Sequence, residues 1–325
     1  MALRVNAFSF MHPEVHGGGG EMISRALLKA AQARGHDVRI SSVRPHRHEQ
    51  HADPDLVLFI DIHNIGHTWR ALGAWRGFKQ STLRAAATQA PFVHLSNAYV
   101  DVCNLPYLPC SGQRLGDGCP AKPAISWSQR RVLLRDCTTD CSASYASRRW
   151  LYNDAALNVY LSPLHQRVTQ SLLQLDDGPP SYVLPPMIDF TRFYNRGMER
   201  DIDYLFVGVI SEAKGLAALR EKYGDQNVWL VGRVSPHVKL DFGRHVPHVS
   251  YDEVPLYMNR AKNFVFLPRW PEPQGRVVAE AALCGCNIIG NENVGALSFG
   301  MDLSDAKNYT GVEAGFWDRV EGILK

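Results

Sequence analysis

The most informative stretch of the chain reads Pro268-Arg269-Trp270-Pro271-Glu272-Pro273-Gln274-Gly275-Arg276-Val277-Val278-Ala279-Glu280-Ala281. Apolar runs at 263–267 and 286–289 lie on either side of it, and both have the composition of strands. The two prolines next to Glu272 disfavour helix before them and suit a helix start after them. The stretch therefore predicts a strand, a turn that carries Glu272, and a helix that carries Glu280. Open α/β sheets bind ligands at such turns, at the carboxyl ends of their strands.

The two carboxylates lie eight positions apart in the chain. In a regular helix this spacing places them roughly 12 Å apart along the axis, which is too far for the pair to share one proton. It fits contacts with two parts of a long polar ligand, such as the hydroxyls of two sugars joined by a diphosphate. The alternative is an acid at a helix start together with an ordinary surface Glu, since most Glu side chains are exposed.

Composition restricts the class of protein. The chain has 325 residues, which is enough for two domains, and its 45% hydrophobic content excludes a disordered protein. No apolar run is long enough to span a membrane, and the N-terminus lacks the pattern of a signal peptide, so we expect a cytoplasmic location. In that compartment the seven cysteines are expected to be thiols or metal ligands rather than disulfides. The sequence does not indicate an oligomeric state.

Strand and helix signals alternate along the chain and restart after the linker-like segment 176–180. This alternation predicts an α/β protein with two Rossmann-like domains facing a cleft. We place the first domain at 1–178, with a Cys-rich insertion at 101–150, and the second at 179–325, with a terminal helix.

The stretch at 268–281 resembles the E-x7-E signature of retaining glycosyltransferases with the GT-B architecture, especially the family 4 group. Such sequences read E-P-F-G-R-x-x-x-E-A, and the matching residues here are Glu272, Gly275, Arg276, Glu280 and Ala281. The resemblance implies that Glu272 contacts the donor sugar and that Glu280 holds the ribose hydroxyls. It also implies sugar transfer from a UDP- or GDP-linked donor to an acceptor hydroxyl, retention of anomeric configuration, and no catalytic metal.

Two glycine-containing loops are candidates for phosphate contacts, because glycines between a strand and a helix let backbone N–H groups approach an anion. The loop with Gly18 and Gly19 resembles the G-G-x-E loop of the same family. Residues 207–215 resemble its V-G-R-L-x-x-x-K-G element, which implies donor contacts for Gly208 and a role for Lys214 in neutralising the leaving diphosphate. The alternatives are a flexible loop and a surface Lys.

Val209 occupies the position at which that element usually has an Arg. A dianionic leaving group needs its charge offset, so another cation is expected to replace the missing one. The candidates are Arg276, Arg233 and Arg269.

The acceptor side is expected in the first domain. Residues 61–64 resemble the H-x-H-type loop of the family, which implies a catalytic role for His63, although it is equally compatible with a packed loop histidine. Ser96 and Asn97 follow the next strand, where relatives often carry His-Asp. Arg130 and Arg131 belong to a basic cluster with 135, 148 and 149, and a second cluster comprises 70, 76, 79 and 84. Both clusters are also compatible with solvated helix faces.

Four cysteines of the insertion could hold a structural zinc ion as thiolates, namely Cys103, Cys119, Cys137 and Cys141. Because no close C-x2-C pair is present, buried free cysteines are the alternative.

The predicted function is transfer of a sugar from a nucleotide diphosphate to a glycan or a small molecule. A net charge of +3 is low for an enzyme dedicated to nucleic acid, which favours these acceptors. The alternatives are a glycosyltransferase that acts on modified bases of DNA, as phage enzymes do, a non-catalytic sugar-nucleotide-binding protein, and a sugar-nucleotide epimerase.

Overall fold

The computed structural model describes residues 2–15, 18–60, 62, 78–99, 149–173, 175, 178–236, 238–247 and 249–325. It contains two β-sheets flanked by helices, and the chain divides into two compact units. Unit 1 comprises Met1–Leu161, Gln166–Leu184 and Gly311–Lys325, and unit 2 comprises Ser162–His165 and Pro185–Thr310. The predicted α/β class with two Rossmann-like sheets is confirmed.

Unit 1 contains a parallel sheet of six strands in the order β2-β1-β3-β4-β5-β6. All five residues of β3 are buried, as expected for a central strand of a parallel sheet. The strands are β1 (Arg4–Met11), β2 (Asp37–Arg44), β3 (Leu56–Ile60), β4 (Phe92–Leu95), β5 (Leu157–Tyr160) and β6 (Ser181–Val183). The helices of this part of the chain are α1 (Gly19–Ala33), α2 (Gln80–Ala87), α3 (Arg149–Asn153) and α4 (Pro163–Leu173).

Unit 2 contains a parallel sheet of five strands in the order β11-β10-β7-β8-β9. The strands are β7 (Ile202–Val207), β8 (Val228–Val231), β9 (Arg244–Val246), β10 (Ala261–Phe266) and β11 (Asn287–Gly290). The helices are α5 (Leu216–Tyr223), α6 (Val254–Arg260) and α7 (Arg276–Leu283), with short 3₁₀ turns at Glu212–Lys214, Gly295–Phe299 and Ala306–Tyr309. The chain proceeds outward from β7 to β9 on one side and from β10 to β11 on the other. The strand order therefore reverses between β7 and β10, where open α/β sheets form a ligand crevice.

The terminal helix α8 (Val312–Ile323) packs against α1 in unit 1. The indole of Trp317 is fully buried, and its Nε1 donates a hydrogen bond to the Leu27 carbonyl at 2.8 Å. The predicted domains differ from this division, because they assigned the terminal helix to the second domain and ended the first at 178. None of the described helices combines the length and apolar character needed to cross a membrane.

Candidate functional site

The turns after β7 and β10 bring two of the predicted residues together. Lys214 ends the 3₁₀ turn after β7, Glu272 lies in the turn after β10, and Lys214 Nζ donates to Glu272 Oε2 in an ion pair. The two side chains are 20% and 14% exposed, so water screens the pair only partly. The Lys214 ammonium also lies 5.0 Å from the ring centroid of Trp270 and 5.5 Å from that of Phe266, within cation–π range.

Backbone hydrogen bonds fix the turn that carries Glu272. Its N–H donates to the Asn293 carbonyl at 2.7 Å, and its carbonyl accepts from the Gly295 N–H at 3.0 Å. Ser162, which belongs to the same unit, donates from its hydroxyl to the Pro273 carbonyl at 2.5 Å. The carboxylate of Glu272 therefore extends from a backbone with little freedom to move.

The turn that carries Lys214 contacts the end of β10 directly. The Arg269 N–H donates to the Ala213 carbonyl at 3.0 Å. Gly215 has a φ of +90°, and a Cβ at this position would overlap the carbonyl oxygen of Leu267. A glycine is required here both for its backbone conformation and for the close approach of the two turns.

Glu280 lies on α7, which begins at the same turn as Glu272, and it is 4% exposed. Its Oε1 accepts from the Tyr251 hydroxyl at 2.7 Å and from Arg276 Nη2 at 3.3 Å. Arg276 Nη2 also lies 3.2 Å from the Tyr251 oxygen. Burial raises the pKa of the Glu280 carboxyl, while Arg276 and Tyr251 act in the opposite direction. Sequence reasoning did not identify Tyr251, because it lies 29 residues from Glu280 and in none of the recognised motifs.

The structure places Arg233 beside the position of the missing Arg. Val209 is 39% exposed, and the neighbouring Ile210 N–H donates to the Arg233 carbonyl at 2.9 Å. A Cβ at Gly232 would overlap the Gly208 carbonyl oxygen, so the loops after β7 and β8 are in contact. The Arg233 side chain is exposed and has no hydrogen-bond or ion-pair partner within the described ranges. Arg276, by contrast, is bound to Glu280 and Tyr251.

In unit 1 the glycine loop meets the end of β4. Gly18 caps α1 and Gly19 is its first residue, with no atom within 4 Å of an added Cβ. A Cβ at Gly20 would lie 2.9 Å from Asn97 Nδ2. The amide nitrogen and oxygen of Asn97 are buried without a hydrogen-bond partner in the described part of the chain. The Ser96 hydroxyl, by contrast, donates to the Ala98 carbonyl at 2.5 Å.

Two members of the predicted basic clusters have structural contacts. The Arg149 guanidinium donates to the Leu173 carbonyl at 2.6 and 3.1 Å, at the end of α4. Arg84 Cζ lies 4.6 Å from the ring centroid of Trp150. These contacts favour the interpretation of both residues as parts of the packed domain.

Several predicted residues lie outside the described residues, namely His63, Arg130, Arg131, Cys103, Cys119, Cys137 and Cys141. Their roles remain predictions. Within the ranges that are described, no group of three or more His, Cys, Asp or Glu residues is arranged to hold a metal ion.

Comparison with known proteins identifies the fold. No family model and no curated protein matches the chain. Sucrose-phosphate synthase from Thermosynechococcus elongatus is similar in structure, with a TM-score of 0.57 and 13% identity over 99% of this chain and 95% of that chain. HepE from Anabaena in complex with UDP gives a TM-score of 0.53 with 13% identity, covering 99% of this chain and 92% of that chain. AviGT4, a glycosyltransferase involved in avilamycin A biosynthesis, gives a TM-score of 0.51 with 13% identity, covering 99% of this chain and 98% of that chain. The chain therefore has the GT-B fold of glycosyltransferases.

Proposed function

We propose that this protein is a retaining glycosyltransferase that moves a sugar from a UDP- or GDP-linked donor to an acceptor hydroxyl. The observation that carries the proposal is the Lys214–Glu272 pair at the point where the strand order of unit 2 reverses, with Glu280 on the helix that starts at the same turn. Open α/β sheets bind nucleotides at this point. The fold that the chain shares with glycosyltransferases supports the same conclusion.

The donor roles follow from the positions of these residues. Glu272 contacts the donor sugar, and Glu280 holds the ribose hydroxyls. Lys214 and Arg233 offset the charge of the leaving diphosphate, which is where fixed cations lower the barrier most. Arg233 takes the part of the missing Arg because its loop lies against Val209. Gly18, Gly19, Gly208 and Gly275 let the backbone approach the donor.

We propose a neutral glycan or a small molecule as the acceptor, bound in unit 1 by Ser96 and Asn97, with a catalytic role for His63. The buried amide of Asn97 supports this, because a buried polar group without a partner is rare and an acceptor hydroxyl could satisfy it. The predicted structural zinc and the absence of a catalytic metal remain part of the proposal.

A non-catalytic sugar-nucleotide-binding protein is the second candidate, and the Val209 position favours it. The exposed valine supplies no charge where a transferase usually has an Arg. The two candidates share the donor site and differ in whether the donor is consumed.

The test combines binding with turnover. We expect UDP-glucose or GDP-mannose to raise the melting temperature, and the sugar to be transferred or slowly hydrolysed with retention, as read by NMR. Lys214→Ala and Arg233→Ala should each lower turnover by about 10²-fold if they stabilise the leaving group. Lys262→Ala is the matched control, because Lys262 forms an exposed ion pair with Asp203 in the same unit.

Two results would contradict the proposal in different ways. If neither nucleotide sugar changes the melting temperature, the donor site is wrong. If a donor binds but the wild-type protein never consumes it, the binding protein is the correct candidate.

A further inference from the structure

Two side chains contact the ring of Tyr251. The ring centroid of Phe193 lies 5.3 Å away, and Arg192 Cζ lies 5.1 Å from the centroid of the Tyr251 ring. Arg192 is in turn bound to Asp252 at 3.1 Å and to Asp189 at 3.7 Å. The hydroxyl of Tyr251 is therefore directed at Glu280 by residues that themselves have fixed partners.

This support comes from a segment with no assigned role in the donor site. Asp189 and Phe193 lie in the segment between β6 and β7, within the Pro185–Thr310 part of unit 2, and Phe193 is fully buried. The Asp189 carboxylate accepts from the Thr191 hydroxyl at 2.6 Å and from the Thr191 N–H at 3.1 Å. These bonds order the turn that presents Arg192 to the tyrosine ring.

The two carboxylate oxygens of Glu280 differ in the hydrogen bonds that they accept. Oε1 accepts from Tyr251 and from Arg276, which uses the two lone pairs of that oxygen. Within the part of the chain that the structure describes, no hydrogen bond reaches Oε2. The Nε of Arg276 is also buried without a described partner. Oε2 of Glu280 and Nε of Arg276 thus remain available as an acceptor and a donor, and a bound polar ligand would satisfy both.

We propose that Tyr251 is a positioning residue for Glu280: it binds Oε1 so that Oε2 is the oxygen offered to the ribose of a nucleoside diphosphate. The inference rests on the proposed function, because it requires a nucleotide at this site. Tyr251 itself does not touch the reacting atoms. Its effect on affinity passes through the orientation of the Glu280 carboxylate.

The test compares a nucleotide that has ribose hydroxyls with one that lacks them. Calorimetry with UDP, or with GDP if that nucleotide raises the melting temperature more, gives the affinity of the wild-type protein and of Tyr251→Phe. We expect Tyr251→Phe to weaken binding about tenfold, the scale of one hydrogen bond to a charged group. For the 2′,3′-dideoxy form of the same diphosphate, the variant and the wild-type protein should bind equally. If the role of Tyr251 were purely structural, Tyr251→Phe would weaken the binding of both ligands alike.

Further variants complete the design. Glu280→Gln should weaken binding of the ribose nucleotide by about tenfold or more. Adding Tyr251→Phe to it should cause no additional loss of affinity, because the effects of two substitutions do not add when one residue acts through the other. Tyr257→Phe is the matched control, since Tyr257 packs near Trp229 in the same unit. If Tyr251→Phe does not fold, Arg192→Gln keeps the hydroxyl but releases the ring, and it should show the same ligand-selective loss.

The outcomes separate the inference from the proposed function. The role of Tyr251 is overturned by either of two results, and the donor site stands in both. In the first, Glu280→Gln weakens binding of the ribose nucleotide but Tyr251→Phe does not. In the second, Tyr251→Phe weakens binding of the ribose and dideoxy forms equally. If the wild-type protein binds neither diphosphate, or if Glu280→Gln binds like wild type, the donor site itself is overturned.

Discussion

At the scale of single residues, four charges of the candidate site are paired with each other. Lys214 and Glu272 form one pair, and Arg276 and Glu280 form another. Removing one member of a buried pair leaves the other charge without compensation, which by itself costs several kcal/mol. Neutral variants of similar shape are therefore better tests of ligand contacts than alanine, particularly for Glu280, because Arg276 is only 12% exposed.

Glu272→Gln tests the contact with the donor sugar. We expect the affinity for the complete nucleotide sugar to fall about tenfold, since one hydrogen bond to a charged group is lost. The free nucleoside diphosphate should still bind this variant, because it has no sugar to contact and Lys214 remains in place to face the diphosphate. Calorimetry with both ligands measures the difference. Glu212→Gln is the control, as this exposed Glu lies on the same turn as Lys214. Equal affinities of wild type and Glu272→Gln for the sugar-linked form would remove Glu272 from the donor site.

The sequence indicated candidate site residues but not the contacts between them. Lys214 and Glu272 were identified from motifs, but they are 58 residues apart, and their ion pair depends on how closely the turns after β7 and β10 approach. Tyr251 could not be identified, since a tyrosine before a helix is usually a packing residue. Its role depends on Phe193 and Arg192, which are brought to it only by the fold.

At the scale of elements, most strands and helices were predictable from apolar runs and helix-breaking residues. The strand-like runs at 263–267 and 286–289 are β10 (Ala261–Phe266) and β11 (Asn287–Gly290), and the helix predicted to carry Glu280 is α7 (Arg276–Leu283). The strands β6 and β9 were not predicted, because each has only three residues and is at least partly exposed, so neither gives a clear apolar pattern. The terminal helix was predicted, but an amphipathic pattern does not indicate which partner covers its apolar face.

Arg34→Gln tests the attachment of α8 to α1. Arg34 bonds to Glu321 at 2.9 Å and to Asp318 at 2.7 Å, and the hydrogen bond from Arg34 lowers the pKa of the Glu321 carboxyl. Because the pKa is lower in the folded than in the unfolded state, this stabilisation is present above the unfolded value of about 4.3 and is lost as the pH falls through the folded value.

We therefore expect Arg34→Gln to lower the melting temperature at pH 7, by the equivalent of about 1 kcal/mol or less because the pair is partly exposed. The difference from wild type should shrink in acid. Thermal unfolding at several pH values measures it, with Arg319→Gln, an exposed residue of the same helix, as the control. A difference that persists unchanged at low pH would show that Arg34 acts by packing rather than through its charge.

At the scale of the whole molecule, the two parallel sheets follow from alternating strand and helix signals that restart once along the chain. The boundary between the two compact units was less predictable from the sequence. The segment 176–180 has the composition of a linker, yet β6 follows it and still pairs with β5 in unit 1. Pairing with a neighbouring strand is a long-range property, which local composition does not report.

The distribution of charge over the whole chain bears on which kind of acceptor the protein binds. The net charge is +3, and Arg84 and Arg149 of the two basic clusters are engaged with Trp150 and Leu173. We therefore expect the transfer rate to a neutral glycan or small molecule to change little between about 50 and about 200 mM salt. A polyanionic acceptor such as DNA would instead lose affinity by orders of magnitude over that range, since each neutralised phosphate releases counterions.

Transfer assays with both kinds of acceptor across this range of salt decide the matter. The double variant Arg130→Gln, Arg131→Gln should be nearly silent with the neutral acceptor. Arg149→Gln is the comparison variant, since it loses the hydrogen bonds to Leu173 and should lower the melting temperature instead. If transfer occurs only to DNA, falls steeply with salt, and is abolished by the double variant while donor binding is intact, the neutral acceptor is wrong and the basic cluster is the acceptor site.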